Sequence, residues 1–182
     1  MIEMDKISGR TGNRMFQIAY IYGQMIKGSV PDIYVQDPDY FEHCRDQIKQ
    51  LYGEGIIPNS YVGIHVRRGD YVDNSFYVDL MKTDYYQKAM VMFPSEKFML
   101  FSDDVEWCHK QPIFEHIPIS KNDEITDLNL MAGCKGLIIA NSSYSWWAGY
   151  LNEGTVVAPS SRLWYTDNIC RTKVPKDWII ID

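Results

Sequence analysis

A chain of 182 residues, 46% hydrophobic and 23% charged, can bury one substantial core, either as a single domain or as a full domain with a small lobe attached. Its net charge of −6, with no basic stripe, argues against a nucleic-acid binder, and no apolar run approaches the ~20 residues a membrane span needs. Four scattered cysteines (Cys44, Cys108, Cys134, Cys170), none in a CxxC pair, argue against a zinc site and fit reduced, buried thiols in a cytoplasmic protein.

The first ten residues, MIEMDKISGR, lack an apolar core and do not read as a secretory signal. SGRTGN (8–13) is a turn-rich segment opening a helix. Asn13 is placed as N-cap, Gly28 as terminator, and Met15, Ile18, Tyr22 and Met25/Ile26 fall at helical spacing. IYVQ (33–36) reads as a short strand before the turn DPDYF, residues 41–52 as weakly helical, and GEGIIPNS (53–60) as a linker.

From residue 61 strand and helix alternate. Strands are predicted at YVGIHV (61–66), KFMLFS (97–102), FEHIPI (114–119), GLIIAN (136–141) and TVVAPS (155–160). Helices are predicted at 84–93, from Asp103-Asp104 onward, at 123–135 and at 142–152. This order predicts an α/β fold with a parallel sheet, whose ligand sits beyond the carboxyl ends of the strands. The residues that follow the strands therefore carry the interest.

HVRRGD (65–70) places two arginines, a glycine and an aspartate at a strand end, where a guanidinium can grip phosphate oxygens in two-point fashion. NSSYSWW (141–147) places Asn141, Ser142 and Ser143 at a helix start, where free N–H groups and the dipole favour an anion. The same serines also read as plain N-caps, and Trp146 and Trp147 as packing. SGRTGN resembles a phosphate cradle without P-loop or GxGxxG spacing, and Arg14 adds charge on its first turn. Asp37-Pro38-Asp39 is a DxD that can hold Mg²⁺ or Mn²⁺, although Pro between two Asp is also common turn chemistry. The turn is the preferred reading. High aromatic content, with thirteen Tyr and five Trp, suits sugar rings and bases and equally fills cores.

Four blocks in order resemble the bacterial α-1,2-fucosyltransferases of glycosyltransferase family 11. GRTGNRMFQIAY resembles the family's GGLGNQMFQYA, and VGIHVRRGDYV its HxRRGDY block. FMLFSDDVEWC resembles FSDDxxWC, and DLNLMAGCKGLIIANSSYSWWAGYLN, followed by VVAP, resembles DLxLMSxCKxxIIANSSFSWW. The resemblance implies a GT-B-like architecture of Rossmann-like lobes, GDP-fucose as donor, a glycan acceptor, inversion at the anomeric carbon, and no metal or other cofactor. It implies a reduced acceptor-side lobe over residues 1–58 and a GDP-sugar-binding lobe over 59–182. His65 and Asp127 would face the guanine. Arg67 would pair with the pyrophosphate, helped by Ser142 and Ser143 beside Asn141. Asn13, next to Gly12, would reach the donor phosphate or the reacting centre, and Asp70 would brace the arginines or act as base. Peripheral contact with a membrane stays compatible with this reading.

The chain departs from the family in two places. GGLGNQ is GRTGNR, and the stretch between Asn13 and His65 is considerably shorter than the family's. Three alternatives therefore stand beside an active fucosyltransferase: a non-catalytic module binding GDP or a GDP-sugar, a transferase using another nucleotide sugar, and a metal-dependent enzyme using Asp37 and Asp39.

Overall fold

The computed structural model describes residue 7 and residues 9–27, 36–167 and 172–182, with backbone alone for 24–27. Its strands are β1 (Val62–Val66), β2 (Phe98–Ser102), β3 (Gly136–Ile138), β4 (Thr155–Pro159) and β5 (Ile179–Ile181). Its helices are α1 (Thr11–Lys27), α2 (Arg45–Gly53), α3 (Tyr85–Val91), α4 (Val105–His109), α5 (Glu124–Ala132) and α6 (Ser143–Leu151). All five strands run parallel in the order β2-β1-β3-β4-β5. The expected α/β class with a Rossmann-like parallel sheet is the class observed.

Period-two alternation divides the strand side chains between two cores. Val62, Ile64, Val66, Leu100, Ile138 and Val157 face α3 and α4. Phe101, Leu137, Ile139, Val156 and Ala158 face α1, α5 and α6. β1 is buried along its whole length, as a strand covered on both faces must be. On the second face Phe16, Phe41, Trp146, Trp147 and Tyr150 form a continuous aromatic cluster, with Phe41 stacked 5.6 Å from Trp147. The expected lobe boundary at 58/59 falls in the loop between α2 and β1, and Phe16, Phe41 and Ile48 share this core with residues beyond it.

Several elements differ from expectation. FEHIPI is not a strand: Pro112–Phe114 is a 3-10 turn, and Ile119 alone bridges to Leu100 of β2. Pro118 has no N–H to donate to a ladder, so only its carbonyl is used, by the Leu100 N–H. The last strand, β5, had no counterpart among the predicted strands. α1 begins at Thr11, so Asn13 lies inside the first turn rather than capping it. The buried stripe of α1 runs through Gly12, Met15, Phe16, Ala19, Tyr20 and Gly23, with Ile18 and Tyr22 only half-buried. Small residues at 12, 19 and 23 let that face lie close to its neighbours. Gly28, residues 33–35 and Cys170 lie outside the described residues, and Cys44, Cys108 and Cys134 are buried free thiols. Among the described residues no helix is long and apolar enough to cross a membrane.

The sheet opens at one point. β1 and β3 pair through Ile64↔Ile138 and no further, whereas β1 stays paired with β2 to Val66↔Ser102. Tyrosines at the start of α3 satisfy carbonyls near this parting: the Tyr86 hydroxyl donates to His65 O, and the Tyr85 hydroxyl to Ile139 O at 2.7 Å. Tyr85→Phe removes that one hydroxyl and leaves the Ile139 carbonyl buried without it. We expect a loss of about 1–3 kcal/mol, read as a lower urea midpoint with an unchanged slope.

Candidate functional site

β1 ends in Arg67 and Arg68, and the two guanidiniums part company. Arg68 turns under the sheet, where it lies 3.7 Å over the Trp107 ring and 3.6 Å from Asp79. Arg67 faces the crevice opened by the parting of β1 from β3. Its side chain is only 11% exposed, and two carboxylates hold it: Asp103 at 2.7 Å and Asp70. Asp70 also lies 3.7 Å from Arg10.

Asp103 is the residue that sequence reasoning undervalued, having taken Asp103-Asp104 as a helix start. Asp104 does cap α4, accepting the Trp107 N–H. Asp103 instead accepts the Arg68 N–H with one oxygen (2.8 Å) and binds Arg67 with the other. The signal for it lay in strand register, since Val66 pairs with Ser102 and the next residue on each strand is Arg67 and Asp103. Gly69, at φ +25°, leaves the room: a Cβ there would collide with the Asp103 carboxylate.

The far wall is α6. Ser142 caps it, accepting the Tyr144 N–H at 3.4 Å. The N-terminus of α1 converges on the same point. A Cβ on Gly12 would stand 2.5 Å from the Ser143 carbonyl carbon and the Tyr144 nitrogen, so only glycine allows this approach. The Asn13 Oδ1 accepts from the Ser143 hydroxyl (3.0 Å) and from Gln36 (2.9 Å). Two helix N-termini and Arg67, with Arg10 and Arg14 nearby, thus surround one cleft of about 1230 Å³.

Gly12, Asn13, His65, Arg67, Asp70, Asp127, Ser142 and Ser143 all line that cleft, although they come from four separate stretches of chain. Asn141 does not. Its buried side chain donates through Nδ2 to the carbonyls of Val78, Leu163 and Trp164, so it braces loops. Asp37 and Asp39 lie outside the cleft as well. Asp37 accepts the Asp39 N–H, and Lys173 pairs with both carboxylates, which is the turn reading. Among the described residues no group of three or more His, Cys, Asp and Glu side chains is placed to hold a metal.

The other end of the cleft is polar. Asp127 on α5 is half-buried; Ser120 and Asn122 both donate to its Oδ1. Desolvation raises its pKa, and those two hydrogen bonds work against the rise. His65 is 3% exposed, and its Nδ1 has no hydrogen-bond partner among the described residues. Burial, with help from Arg67, pushes its pKa down to about 3, so the imidazole is neutral. Burial also lifts the phenols of Tyr71 and Tyr144 above the ordinary value of 10.0, which removes them as bases.

The crevice lies where strand order reverses, the place at which parallel α/β sheets of the Rossmann-like class carry their ligands. Sequence comparison agrees. Glycosyl transferase family 11 matches residues 8–182, and the chain belongs to that family. It is 31% identical to an α-1,2-colitosyltransferase of Escherichia coli over 89% of this chain and 66% of that protein. It is 33% identical to the O-antigen biosynthesis glycosyltransferase WbnK of Escherichia coli over 78% of this chain and 51% of that protein. Against the galactoside 2-alpha-L-fucosyltransferase SEC1 of Bos taurus the identity is 30% over 64% of this chain. The chain therefore spans about half to two thirds of the length of these bacterial relatives. No solved structure matches it.

Two measurements check this geometry. Gly12→Ala forces α1 off α6, with an expected cost of about 1–3 kcal/mol in unfolding free energy. The second concerns His65. The unfolded imidazole takes up its proton near pH 6.5 and the folded one only near 3, so the stability gained by keeping it neutral is complete above 6.5 and drains away as pH falls toward 3. Urea midpoints across that window should decline less steeply in His65→Gln than in the wild type.

Proposed function

We propose that the chain is an inverting glycosyltransferase that moves fucose from GDP-fucose to a hydroxyl of a galactoside acceptor, at O2 by analogy with the names of its relatives. The observation that supports this most is the meeting of Arg67 with the N-termini of α1 and α6 around one crevice.

The acceptor oxygen attacks the anomeric carbon from the face opposite the phosphate. As the new C–O bond forms, the bond from the anomeric carbon to the phosphate oxygen breaks, and its electron pair leaves on GDP. Negative charge grows on the diphosphate, and Arg67 and the N–H groups at the start of α6 meet that charge without reorganising. Fixed positive groups of this kind can do the work a divalent cation does elsewhere, so the reading requires no metal. The acceptor proton passes to a base, for which Asp70 is the candidate: its side chain is half-exposed and sits against Arg67 and Arg10.

Asp127 and His65 are assigned to the base of the nucleotide. The Ser120 and Asn122 hydrogen bonds to the Asp127 carboxylate both fall on Oδ1, and a carboxylate oxygen accepts well from the adjacent N–H groups that guanine carries and adenine does not. The unpartnered Nδ1 of buried His65 calls for a ligand hydrogen bond of its own.

The name of the colitosyltransferase relative supports a second reading, in which the same site takes GDP-colitose. Initial rates with the two donors separate them. With either preferred donor, a galactoside and excess chelator, product is expected. Arg67→Ala should lower turnover by about 10²–10³-fold with little change in unfolding midpoint. No product from either donor, or a rate restored only by Mg²⁺ or Mn²⁺, removes this proposal. In the latter case Asp37→Asn is the next variant to assay.

A further inference from the structure

The side-chain amide of Asn13 is held by its oxygen, and Gln36, one of the two residues that hold it, takes no part in the reaction above. Asn13 Oδ1 accepts from the Ser143 hydroxyl at 3.0 Å and from the Gln36 Nε2 at 2.9 Å. Among the described residues the Asn13 Nδ2 has no hydrogen-bond partner. A primary amide carries one acceptor oxygen and two N–H donors, and a half turn about its last bond exchanges them. Asn13 is half-buried and lines the cleft. With its oxygen engaged on Ser143 and Gln36, the group it has left to offer a ligand is a donor.

Gln36 is fixed by both its backbone and its side chain. Residues 36 and 172 pair as an isolated parallel bridge, and the Lys173 N–H donates to Gln36 O at 3.0 Å. The hydroxyl of buried Thr172 donates to Gln36 Oε1, and the Tyr165 hydroxyl lies 3.1 Å from Thr172 Oγ1. Because Thr172 has one hydroxyl proton and directs it at Gln36, Tyr165 is the donor of that last bond. Tyr165, Thr172 and Gln36 thus donate in turn, and the chain ends on Asn13 Oδ1. Bonds in such a chain polarise one another.

The direction of the chain suits the local field. Asn13 Oδ1 lies against Ser143, the first residue of α6, where the helix dipole favours an oxygen. Reversing the chain would set the NH2 group there and leave the carbonyl for the ligand. A phosphate oxygen accepts from an N–H and is repelled by a carbonyl, so the orientation of this one amide decides whether residue 13 assists an anion or opposes it.

We propose that Gln36 is a positioning residue that keeps the Asn13 amide turned as a hydrogen-bond donor to the diphosphate, with Thr172 holding Gln36 from behind. This rests on the donor reading given above, in that the diphosphate must lie in the cleft between Asn13 and Arg67.

The test is a double-mutant cycle. Affinities for GDP and for inorganic pyrophosphate are measured by calorimetry in wild type, Gln36→Glu, Asn13→Ala and the double variant. Gln36→Glu keeps an acceptor for Thr172 but puts a second acceptor where the donor was, so the Asn13 NH2 turns toward it and away from the anion. The expected result is binding at least about tenfold weaker in Gln36→Glu, and a much smaller loss when the same change is made in Asn13→Ala. In 15N spectra the Asn13 side-chain amide, identified by its absence in Asn13→Ala, should shift on addition of GDP in wild type and stay still in Gln36→Glu. Equal losses in the two backgrounds overturn the proposal, because the charge at residue 36 would then act on the anion directly. So does wild-type affinity in Gln36→Glu. Should Gln36→Glu fail to fold, Gln36→Met goes through the same cycle; it frees the amide to turn, and the expected loss of about twofold should vanish in Asn13→Ala. A wild type that binds pyrophosphate but not GDP sinks the donor reading alone, and the pyrophosphate cycle still decides Gln36. A wild type that binds neither overturns both.

Discussion

The parting of β1 from β3 is the constraint from which the rest of this molecule follows. Two parallel strands that pair for three residues and then diverge leave a gap in the sheet at their carboxyl ends. Backbone groups at such a gap need partners, and the protein supplies them from side chains: Tyr85 and Tyr86 from one face, and Ser145 of α6, whose hydroxyl accepts the Ala140 N–H. Helix α6 starts at its rim because β3 delivers the chain there, and α1 can reach the same rim because residue 12 has no side chain.

Arg67 is what makes the gap a site rather than a defect. A guanidinium at 11% exposure loses much of its hydration, and the two carboxylates beside it offset that loss. The arrangement is asymmetric. Asp103 also holds the Arg68 N–H and is locked by the backbone, whereas Asp70 is half-exposed and shared with Arg10. A bound diphosphate can replace Asp70 as the outer partner of Arg67 while Asp103 keeps the guanidinium aimed.

The β1 to β4 strands were legible because parallel strands buried on both faces read as unbroken apolar runs, and VGIHV and TVVAP are such runs. Most of the site was legible for a related reason: once the strands are located, Arg67, Ser142 and Ser143 must fall beyond their ends. What stayed hidden depends on contacts between distant stretches. Asp103 looked like helix punctuation until strand register set it beside Arg67. The pairing of Tyr77 with Tyr165 arises where the loop after β1 meets the loop after β4, a contact no periodicity encodes. Asn141 misled in the opposite direction. An asparagine between two serines at a strand end has the composition of a ligand contact, and only the three carbonyls around its amide show that it serves the loops. FEHIPI has strand-like residues, yet Pro118 denies it the donor a ladder needs.

The cleft has a direction, and that direction is chemical. At one end are a carboxylate whose burial weakens its acidity and a histidine too buried to charge, groups suited to reading a neutral heterocycle through hydrogen bonds. In the middle stand arginine and helix N-termini, suited to an anion. At the other end Tyr71 and Tyr77 stack on each other. The base and the diphosphate of a nucleotide sugar suit the polar end and the charged middle in this order. A phosphorylated peptide or a free sugar phosphate would use one or two of the zones and leave Asp127 or His65 without a partner. The succession of a polar end and a charged middle, more than any single residue in them, is what the donor reading proposed above rests on.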